Sequence, residues 1–176
     1  MRRTILLLVV IALAAFSVWV VATSPQPVGD PPASAGASHP DIPADAETMV
    51  VVSVTDGDTL RLRDDSGAVE NVRLIGIDTP EVYPVLECFG EEAEAELRRL
   101  APIGSTLRVA TDADPFDRYD RMLLYLWNDD DVFVNLALVE GGFAEAIRVR
   151  PNDLHFETLR SAETAASTAG LGMWSC

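Results

Sequence analysis

The chain has 176 residues, and its 13 basic residues, all of them arginine, face 28 acidic residues to give a formal net charge of −15. This length excludes two full-sized domains and suits one domain with a substantial core. The charge argues against a broad basic surface for polyanions, because its field repels them at low salt. It fits adaptation to concentrated salt, where repulsion is screened, or selection for solubility, and both explanations stay open.

The N-terminus has the composition of an export segment. Arg2 and Arg3 precede a long uncharged, apolar run, which predicts a signal peptide or an N-terminal membrane anchor over residues 1–23. Because the two arginines stay inside, either interpretation places the rest of the chain outside the cell. We therefore expect an extracellular protein, either secreted or tethered to the membrane by residues 4–22.

The composition changes at residue 24. Proline, alanine, serine and glycine dominate residues 24–46. Such a segment does not bury a core, and it predicts a linker. The folded domain is then expected over residues 47–176, with a monomer as the default state.

Three strands are predicted at the start of this domain. The apolar segment 49–55 and the alternating segment TLRLR at 59–63 indicate strands. The turn DDSGA at 64–68 leads into a third strand over 69–77.

A helix is predicted next, at 90–104, with an apolar stripe on one face and acidic residues in its first turns. The elements predicted after it are strands at 106–110 and 122–127, a short strand and helix ending at Gly141, and a last helix over 152–169. Five short strands with a helix after the third fit a closed barrel. The predicted fold class is mainly β with α, a five-stranded OB-fold β-barrel with three helices.

Two cysteines, Cys88 and Cys176, lie in the part expected outside the cell. In an oxidising compartment an even number of cysteines favours a disulfide, and two unpaired buried thiols are the alternative. The two histidines, His39 and His155, are isolated in the sequence, and we assign neither a role.

Polar clusters follow or interrupt three of the predicted strands, in TDGDT at 55–59, VRLIGIDTPE at 72–81 and DRYDR at 117–121. Asp58 and Asp78 lie at the ends of strands expected to be neighbours. They offer two carboxylates to a hard cation such as Ca²⁺, which also accepts main-chain carbonyls. Each cluster has an ordinary explanation as a turn or a solvated loop.

Arg73 is the least expected residue of these clusters. An arginine within an otherwise apolar strand is costly unless it meets an anion. A substrate phosphate would serve, with Arg121 binding it from the other side and Glu81 nearby as a base. A metal ion, two guanidiniums and a carboxylate base are suited to phosphodiester hydrolysis.

The motifs VTDGDTLRLR, VRLIGIDTPE, CFGEEA, DRYDR, VNLALVEGGFA and AGLGMWS resemble, in order and spacing, those of the thermonuclease (staphylococcal nuclease-like) family. The similarity covers essentially all of residues 49–175. It implies an OB-fold barrel with three helices. It also implies a Ca²⁺-dependent phosphodiesterase that cuts DNA and RNA with little sequence preference and leaves 3′-phosphorylated products. We expect single strands to be preferred.

The resemblance also implies roles for individual residues. It implies one Ca²⁺ held by Asp58, Asp78 and the main-chain carbonyl of Thr79. The remaining implied roles are phosphate binding and transition-state stabilisation for Arg73 and Arg121, general base for Glu81, a supporting acid for Asp117, and contact with the nucleotide for Tyr119.

Two departures from the family pattern stand out. Asp120 replaces a usual glycine before Arg121; aspartate tolerates a left-handed backbone, but its charge could compete for Arg121. Arg148 and Arg150 stand about where some relatives carry base-stacking tyrosines. Since arginine can stack on bases or pair with phosphate, we place Arg148, Arg150 and Arg118 among the substrate-binding residues.

Two other function classes stay open. A non-catalytic OB-fold module that binds nucleic acid at the cell surface would explain the acidic surface and Asp120. A calcium-binding adhesion domain would use the four acids of the loop before the fifth strand, which are Asp112, Asp114, Asp117 and Asp120, although this loop lacks the EF-hand pattern.

Overall fold

The computed structural model describes residues 39–176. The predicted signal peptide or anchor and residues 24–38 of the predicted linker lie outside the described residues. Within residues 39–176, no helix has the length and apolar character needed to cross a membrane. The elements in chain order are β1 (Glu47–Val54), β2 (Thr59–Arg63), β3 (Val69–Leu74), β4 (Ile77–Asp78), α1 (Gly90–Leu100), β5 (Thr106–Ala110), β6 (Met122–Trp127), α2 (Val134–Glu140), β7 (Glu145–Ala146), α3 (Phe156–Thr168) and a 3₁₀ turn (Gly172–Ser175).

Five strands close into a barrel in the order β1-β2-β3-β6-β5. All neighbouring pairs are antiparallel except β3 and β6, which run parallel. The predicted five-stranded OB-fold barrel with three α-helices is confirmed.

Period-two alternation decides which face of each strand enters the barrel. In β2, Leu60 and Leu62 are fully buried, whereas Arg61 and Arg63 are exposed. In β6, Leu124 and Leu126 lie opposite the buried Leu74 and Val109 of the neighbouring strands and face the barrel interior, whereas Tyr125 and Trp127 are almost fully buried on the other face. Phe133 stacks on Trp127, with 4.9 Å between ring centroids.

The third predicted strand is shorter than expected, which is a correction. Val69–Ile77 was predicted as one strand, but β3 ends at Leu74 and β4 begins at Ile77. Gly76 separates them with φ +78, a left-handed conformation that suits glycine, and a Cβ there would lie 2.8 Å from Leu159 Cδ1. The break turns β4 away from the barrel to pair with β7.

Helix bounds also differ from the prediction. Helix α1 ends at Leu100 rather than at residue 104, and α3 begins at Phe156 rather than at residue 152. Pro102 follows the end of α1, and proline does not continue a helix beyond its first turn. Before α3, Asn152 forms an isolated β-bridge with Val149 and is not helical. The short strand β7 and the 3₁₀ turn were not predicted.

The chain termini of the described part pack against the domain. Trp127 Nε1 donates a hydrogen bond to the Pro40 carbonyl, at 3.2 Å, and Ile42 packs against the core. The end of the segment predicted as a linker therefore contacts the barrel. At the C-terminus, Cys176 forms a disulfide with Cys88, across 88 residues of sequence.

Candidate active site

Asp58 is the residue directly before β2, and it is almost fully buried, with 1% of its surface exposed. Its carboxylate accepts hydrogen bonds from the Thr59 hydroxyl at 3.0 Å and the Thr79 main-chain amide at 3.2 Å. Burial raises the pKa of Asp58 to about 7, although the positive charge of Arg73 opposes the rise. A carboxylate in this position needs a cationic partner to be ionised.

Arg73 provides such a partner from the neighbouring strand. It lies in β3 directly opposite Thr59, and its side chain is 17% exposed. One guanidinium nitrogen pairs with Asp58 and another with Asp78, and a hydrogen bond to the Ile77 carbonyl measures 3.2 Å. The anionic partners of Arg73 in the structure are thus the two predicted metal ligands.

Gly57 allows the turn before β2 to pack closely against the segment after β4. A Cβ at this position would lie 2.7 Å from Thr79 Oγ1 and 2.8 Å from Ala93 Cβ. These distances are too short for a methyl group, so a larger residue would push the Asp58 turn away from Thr79 and from α1.

Arg121 is positioned by a compact turn between β5 and β6. Asp117 accepts hydrogen bonds from Arg121 Nε at 2.7 Å and from the Arg121 and Tyr119 main-chain amides at 3.0 and 2.8 Å. Burial raises the pKa of Asp117, but these hydrogen bonds and the Arg121 charge outweigh it, so the net shift is downward. Asp117 is therefore an anion that holds Arg121.

Asp120 completes this turn in a left-handed conformation, with φ 63°. Its main-chain amide donates to the Asp117 carbonyl at 3.1 Å. Within residues 39–176, the ion-pair partner of Arg121 is Asp117 and not Asp120. The turn geometry is kept despite the missing glycine.

Tyr119 is exposed beside this turn, with 65% of its surface accessible. Its hydroxyl accepts a hydrogen bond from Arg118 Nη2 at 2.6 Å, and the Arg118 guanidinium lies 4.7 Å from the ring centroid. The Arg121 guanidinium lies 5.7 Å from the same ring.

Glu81 starts a loop that returns to it. The Glu81 main-chain amide donates to the Glu87 carboxylate at 3.0 Å, and the Glu87 amide donates to the Glu81 carbonyl at 2.8 Å. Gly90 packs on the same carbonyl, since a Cβ there would lie 2.7 Å from the Glu81 oxygen. The backbone of Glu81 is thus fixed from two directions.

A cavity of about 430 Å³ brings the predicted catalytic residues together. Arg73, Glu81 and Arg121 all line it, with Asp117, Arg118 and apolar side chains of β6 and the 147–149 segment. Of these groups, the Arg73 and Arg121 guanidiniums can bind a phosphodiester, and the Glu81 carboxylate can accept a proton beside it.

A second cavity of about 330 Å³ adjoins the first, and both are lined by Asp117, Arg118 and Asn152. Arg150 and Tyr119 line this second cavity. Arg148 lines neither; its Nε donates to Asp153 at 2.8 Å and its guanidinium lies 5.0 Å from the Phe156 ring centroid. Of the three arginines predicted to bind substrate, Arg118 and Arg150 face the cavities.

Three residues of the site were not predicted from the sequence. Glu87 accepts the hydrogen bond of the Glu81 amide, and Glu145 of β7 lies opposite Asp78 of β4 in the strand register. Asn152 is 4% exposed, and its side chain donates to the Asp114 carbonyl and accepts from the Asp114 amide, both at 2.7 Å. Burial, followed by the charge of Asp78, raises the pKa of Glu145. The proline directly before Asn152 was a local turn signal in the sequence.

The fit of a metal ion can be judged from the donor atoms. Within residues 39–176, no three His, Cys, Asp or Glu side chains converge into a metal-binding group. The predicted set needs only two carboxylates and one carbonyl. Asp58 and Asp78 meet at one guanidinium, Thr79 adjoins Asp58, and all these donors are oxygens, as a hard divalent cation requires. The set fits such an ion.

The acidic loop considered for an adhesion domain is divided among other contacts. Asp112 accepts hydrogen bonds from the Tyr125 hydroxyl at 3.0 Å and the Leu154 amide at 3.1 Å, and Asp117 holds Arg121. These acids do not point to one common centre.

Comparison with known proteins gives consistent matches. The family model for staphylococcal nuclease homologues matches residues 71–176. The chain is 34% identical over 174 residues to a thermonuclease of Staphylococcus hyicus, covering 97% of this chain and 95% of that protein. It is 35% identical over 132 residues to a thermonuclease of Staphylococcus intermedius, covering 73% and 76%. It is also 27% identical over 135 residues to endonuclease YhcR of Bacillus subtilis (strain 168), covering 71% of this chain and 11% of that protein.

Proposed function

The chain belongs to the family of staphylococcal nuclease homologues, and from this premise we propose that it is a nuclease that hydrolyses phosphodiester bonds in DNA and RNA. The observation that carries the proposal is the cavity that Arg73, Arg121 and Glu81 line together. Relatives with thermonuclease and endonuclease in their names support the same activity.

The cavity suggests a division of work among these side chains. Arg73 and Arg121 would contact the phosphate oxygens and stabilise the negative charge that grows as phosphorus becomes pentacoordinate. Glu81 would accept a proton from the attacking water. The oxygen of that water would attack phosphorus in line with the 5′ oxygen, so that the P–O5′ bond breaks, the leaving oxygen takes a proton from solvent to become a 5′-hydroxyl, and the other product keeps a 3′-phosphate.

One Ca²⁺ is part of the proposal. Asp58, Asp78 and the Thr79 carbonyl would hold it, because both carboxylates contact Arg73, which lines the cavity, and the Thr79 backbone adjoins Asp58. When bound, such an ion polarises a phosphoryl oxygen and neutralises charge. Arg73 pairs with both aspartates and also lines the cavity, so one guanidinium adjoins both the carboxylates that would hold the ion and the place of the phosphate.

An extracellular location is also proposed. It is supported by the apolar N-terminal run behind two arginines and by the disulfide, a bond that persists in oxidising compartments. We further propose a monomer, either secreted or held at the membrane by residues 4–22, acting preferentially on single strands.

The test is cleavage of single-stranded DNA and RNA by the full chain, with Ca²⁺ or with a chelator. We expect Ca²⁺-dependent cleavage, and a rate roughly 100- to 10,000-fold lower for Glu81→Gln, because a general base contributes that much. Arg121→Lys should be slow as well, because lysine lacks the planar fork of donors. Matched controls are Glu91→Gln and Arg63→Lys, which change exposed residues outside the cavity.

Binding without cleavage by a folded wild-type chain would contradict the nuclease proposal and favour the non-catalytic OB-fold module. Product analysis tests the chemistry separately. A 3′-hydroxyl at the cut, in place of a 3′-phosphate, would show that the other phosphodiester bond breaks.

A further inference from the structure

The loop 82–86 exposes apolar side chains next to the candidate active site. Tyr83 is 83% exposed, Val85 71% and Leu86 56%. The chain carries an acidic surface overall, with a net charge of −15. A run of exposed apolar residues on such a protein marks a surface that meets another molecule.

This loop is held firmly at both ends. The two hydrogen bonds between Glu81 and Glu87 close it at its base. The next residue, Cys88, is bonded to Cys176 at the C-terminus. Gly90 packs on the Glu81 carbonyl where α1 begins. The exposed apolar side chains therefore belong to a loop whose two ends are held in place.

The loop lies within reach of the reacting phosphate, because it directly follows Glu81. Tyr83 is two residues from Glu81, so their Cα atoms are at most about 7 Å apart. Glu81 lines the cavity with Arg73 and Arg121. A strand whose phosphate lies in this cavity would have its neighbouring nucleotides beside the loop.

Charge argues for bases as the groups that meet this loop. Phosphates gain little from a surface with a net charge of −15, where most guanidiniums already pair with carboxylates. Uncharged nucleobases do not suffer this repulsion, and they stack on aromatic and apolar side chains. They stack only when unpaired, which requires a single strand.

We propose that loop 82–86 is a base-binding platform of the enzyme, on which Tyr83, with Leu86, stacks an unpaired nucleobase adjacent to the scissile phosphate. The inference rests on the proposed nuclease function and specifies its substrate class as a single strand with bases. It explains how an acidic chain can bind a polyanion, since uncharged bases add contact energy to that of the few guanidiniums around the cavity.

The test measures binding and cleavage with two probes. One is a single-stranded oligothymidylate, and the other is an oligonucleotide of the same length in which every position is abasic. Affinity is measured with Ca²⁺ on the full chain carrying Glu81→Gln, and cleavage on the chain with Glu81 intact. The variants are Tyr83→Ala, Tyr83→Phe and Leu86→Ser, with Ile103→Ser as the matched control. Ile103 is 64% exposed and lies between α1 and β5.

We expect Tyr83→Ala to weaken oligothymidylate binding roughly five- to a hundredfold, the range for loss of one stacked base. Tyr83→Phe should keep the affinity because the ring is retained, and Leu86→Ser should fall between the two. The affinity for the abasic strand should be low and equal in all variants. Ile103→Ser should bind both probes like the parent.

Three outcomes would overturn the inference. Unchanged affinity of Tyr83→Ala, together with normal cleavage by wild type, would remove the platform and leave the nuclease proposal intact. An equal loss on the abasic strand would assign the loop to the sugar–phosphate backbone. A dimer that Tyr83→Ala converts to a monomer in sedimentation would make the loop a contact between copies. If wild type cleaves neither probe, the proposed function itself fails.

Discussion

At the scale of single residues, ion pairs between arginines and carboxylates decide how the side chains of this site are oriented. Asp58 is buried where an anion is costly, and Arg73 bridges it to Asp78. Asp117 accepts two hydrogen bonds from Arg121, one from its side chain and one from its main-chain amide, and a third from the Tyr119 amide. The guanidiniums of Arg73 and Arg121 are thereby oriented before any phosphate binds, which lowers the entropic cost of binding.

Calcium binding is expected to weaken in acid, because Asp58 must be ionised to serve as a ligand. Burial raises the pKa of Asp58 to about 7, so the ionised fraction falls by roughly tenfold between pH 8 and pH 6. The Ca²⁺ affinity should fall by a similar factor over this range. Titration calorimetry on Glu81→Gln measures it without substrate turnover.

The control for this prediction is the same titration with Asp78→Asn, which removes a carboxylate but keeps Asp58. The affinity should be lower at every pH and keep the same pH dependence. Equal affinity at pH 6 and pH 8 in the parent would contradict the assignment of Asp58 as a ligand.

At the level of elements, the site forms where strand ends meet. Asp58 precedes β2, Arg73 lies in β3, and Asp78 ends β4 after the glycine break at residue 76. Strand β4 leaves the barrel and pairs with β7, which brings Glu145 opposite Asp78. The loop after it returns to Glu81 through Glu87 and continues into α1. The elements therefore place acids and arginines from distant segments around one cavity.

Glu87 is expected to act as a positioning residue for Glu81. Glu87→Ala removes the acceptor of the Glu81 amide and should lower kcat roughly five- to tenfold, the effect of one lost hydrogen bond of about 1 kcal/mol. KM should change little, since Glu87 does not line the cavity. Steady-state cleavage kinetics separate the two constants.

Glu87→Gln keeps an acceptor oxygen and should restore most of the activity. An equal loss in both variants would show that the charge of Glu87, and not its hydrogen bond, matters. A thermal unfolding curve for Glu87→Ala close to that of wild type is expected, because the side chain lies on the surface.

On the scale of the whole molecule, a strongly acidic protein surrounds a site for an anion. Eight of the eleven arginines within residues 39–176 pair with carboxylates. Most of the positive charge is therefore neutralised locally, and binding to a polyanion depends on the few guanidiniums around the cavity. The disulfide joins the C-terminus to the loop after Glu81 and connects the end of the fold to the site.

The salt dependence of binding should be shallow for a nuclease. If Arg73, Arg118 and Arg121 contact phosphates, the slope of log K against log salt for a single strand should be about −2 or less steep. Affinity of Glu81→Gln for oligothymidylate between 50 mM and 1 M salt gives this slope. Arg118→Ala should make it shallower still, whereas a slope steeper than about −4 would mean that further basic residues take part.

Reduction of the disulfide should destabilise the fold. A bond that closes a loop of 88 residues contributes on the order of 4 kcal/mol in the chain-entropy model. Wild type with a reductant, and the double variant Cys88→Ser/Cys176→Ser without it, should both unfold at lower denaturant than the oxidised protein. Coincident unfolding curves for oxidised and reduced protein would contradict this expectation.

The local sequence pattern was sufficient to predict most of the secondary structure. The bounds of β2, β5 and β6 agree with the predicted segments, because the alternation in β2 and β5 and the continuous apolar run in β6 are both properties of neighbouring positions. The break at Gly76 was missed although a glycine inside a strand pattern is a local signal of irregularity; the close approach of Leu159 from α3, far away in sequence, is seen only in the structure. Strand β7 was missed because a segment of two residues carries no periodic signal.

The sequence by itself determined the barrel, its three helices, the family and the identity of Arg73, Glu81 and Arg121 as residues that belong together, because motifs and periodicity are read along the chain. The tertiary structure alone decided which groups meet them. It paired Arg73 with Asp58 and Asp78, held Glu81 with Glu87, set Glu145 beside Asp78, and turned Arg148 toward Asp153. These contacts arise from packing between distant segments, and burial and charge act through space rather than along the sequence.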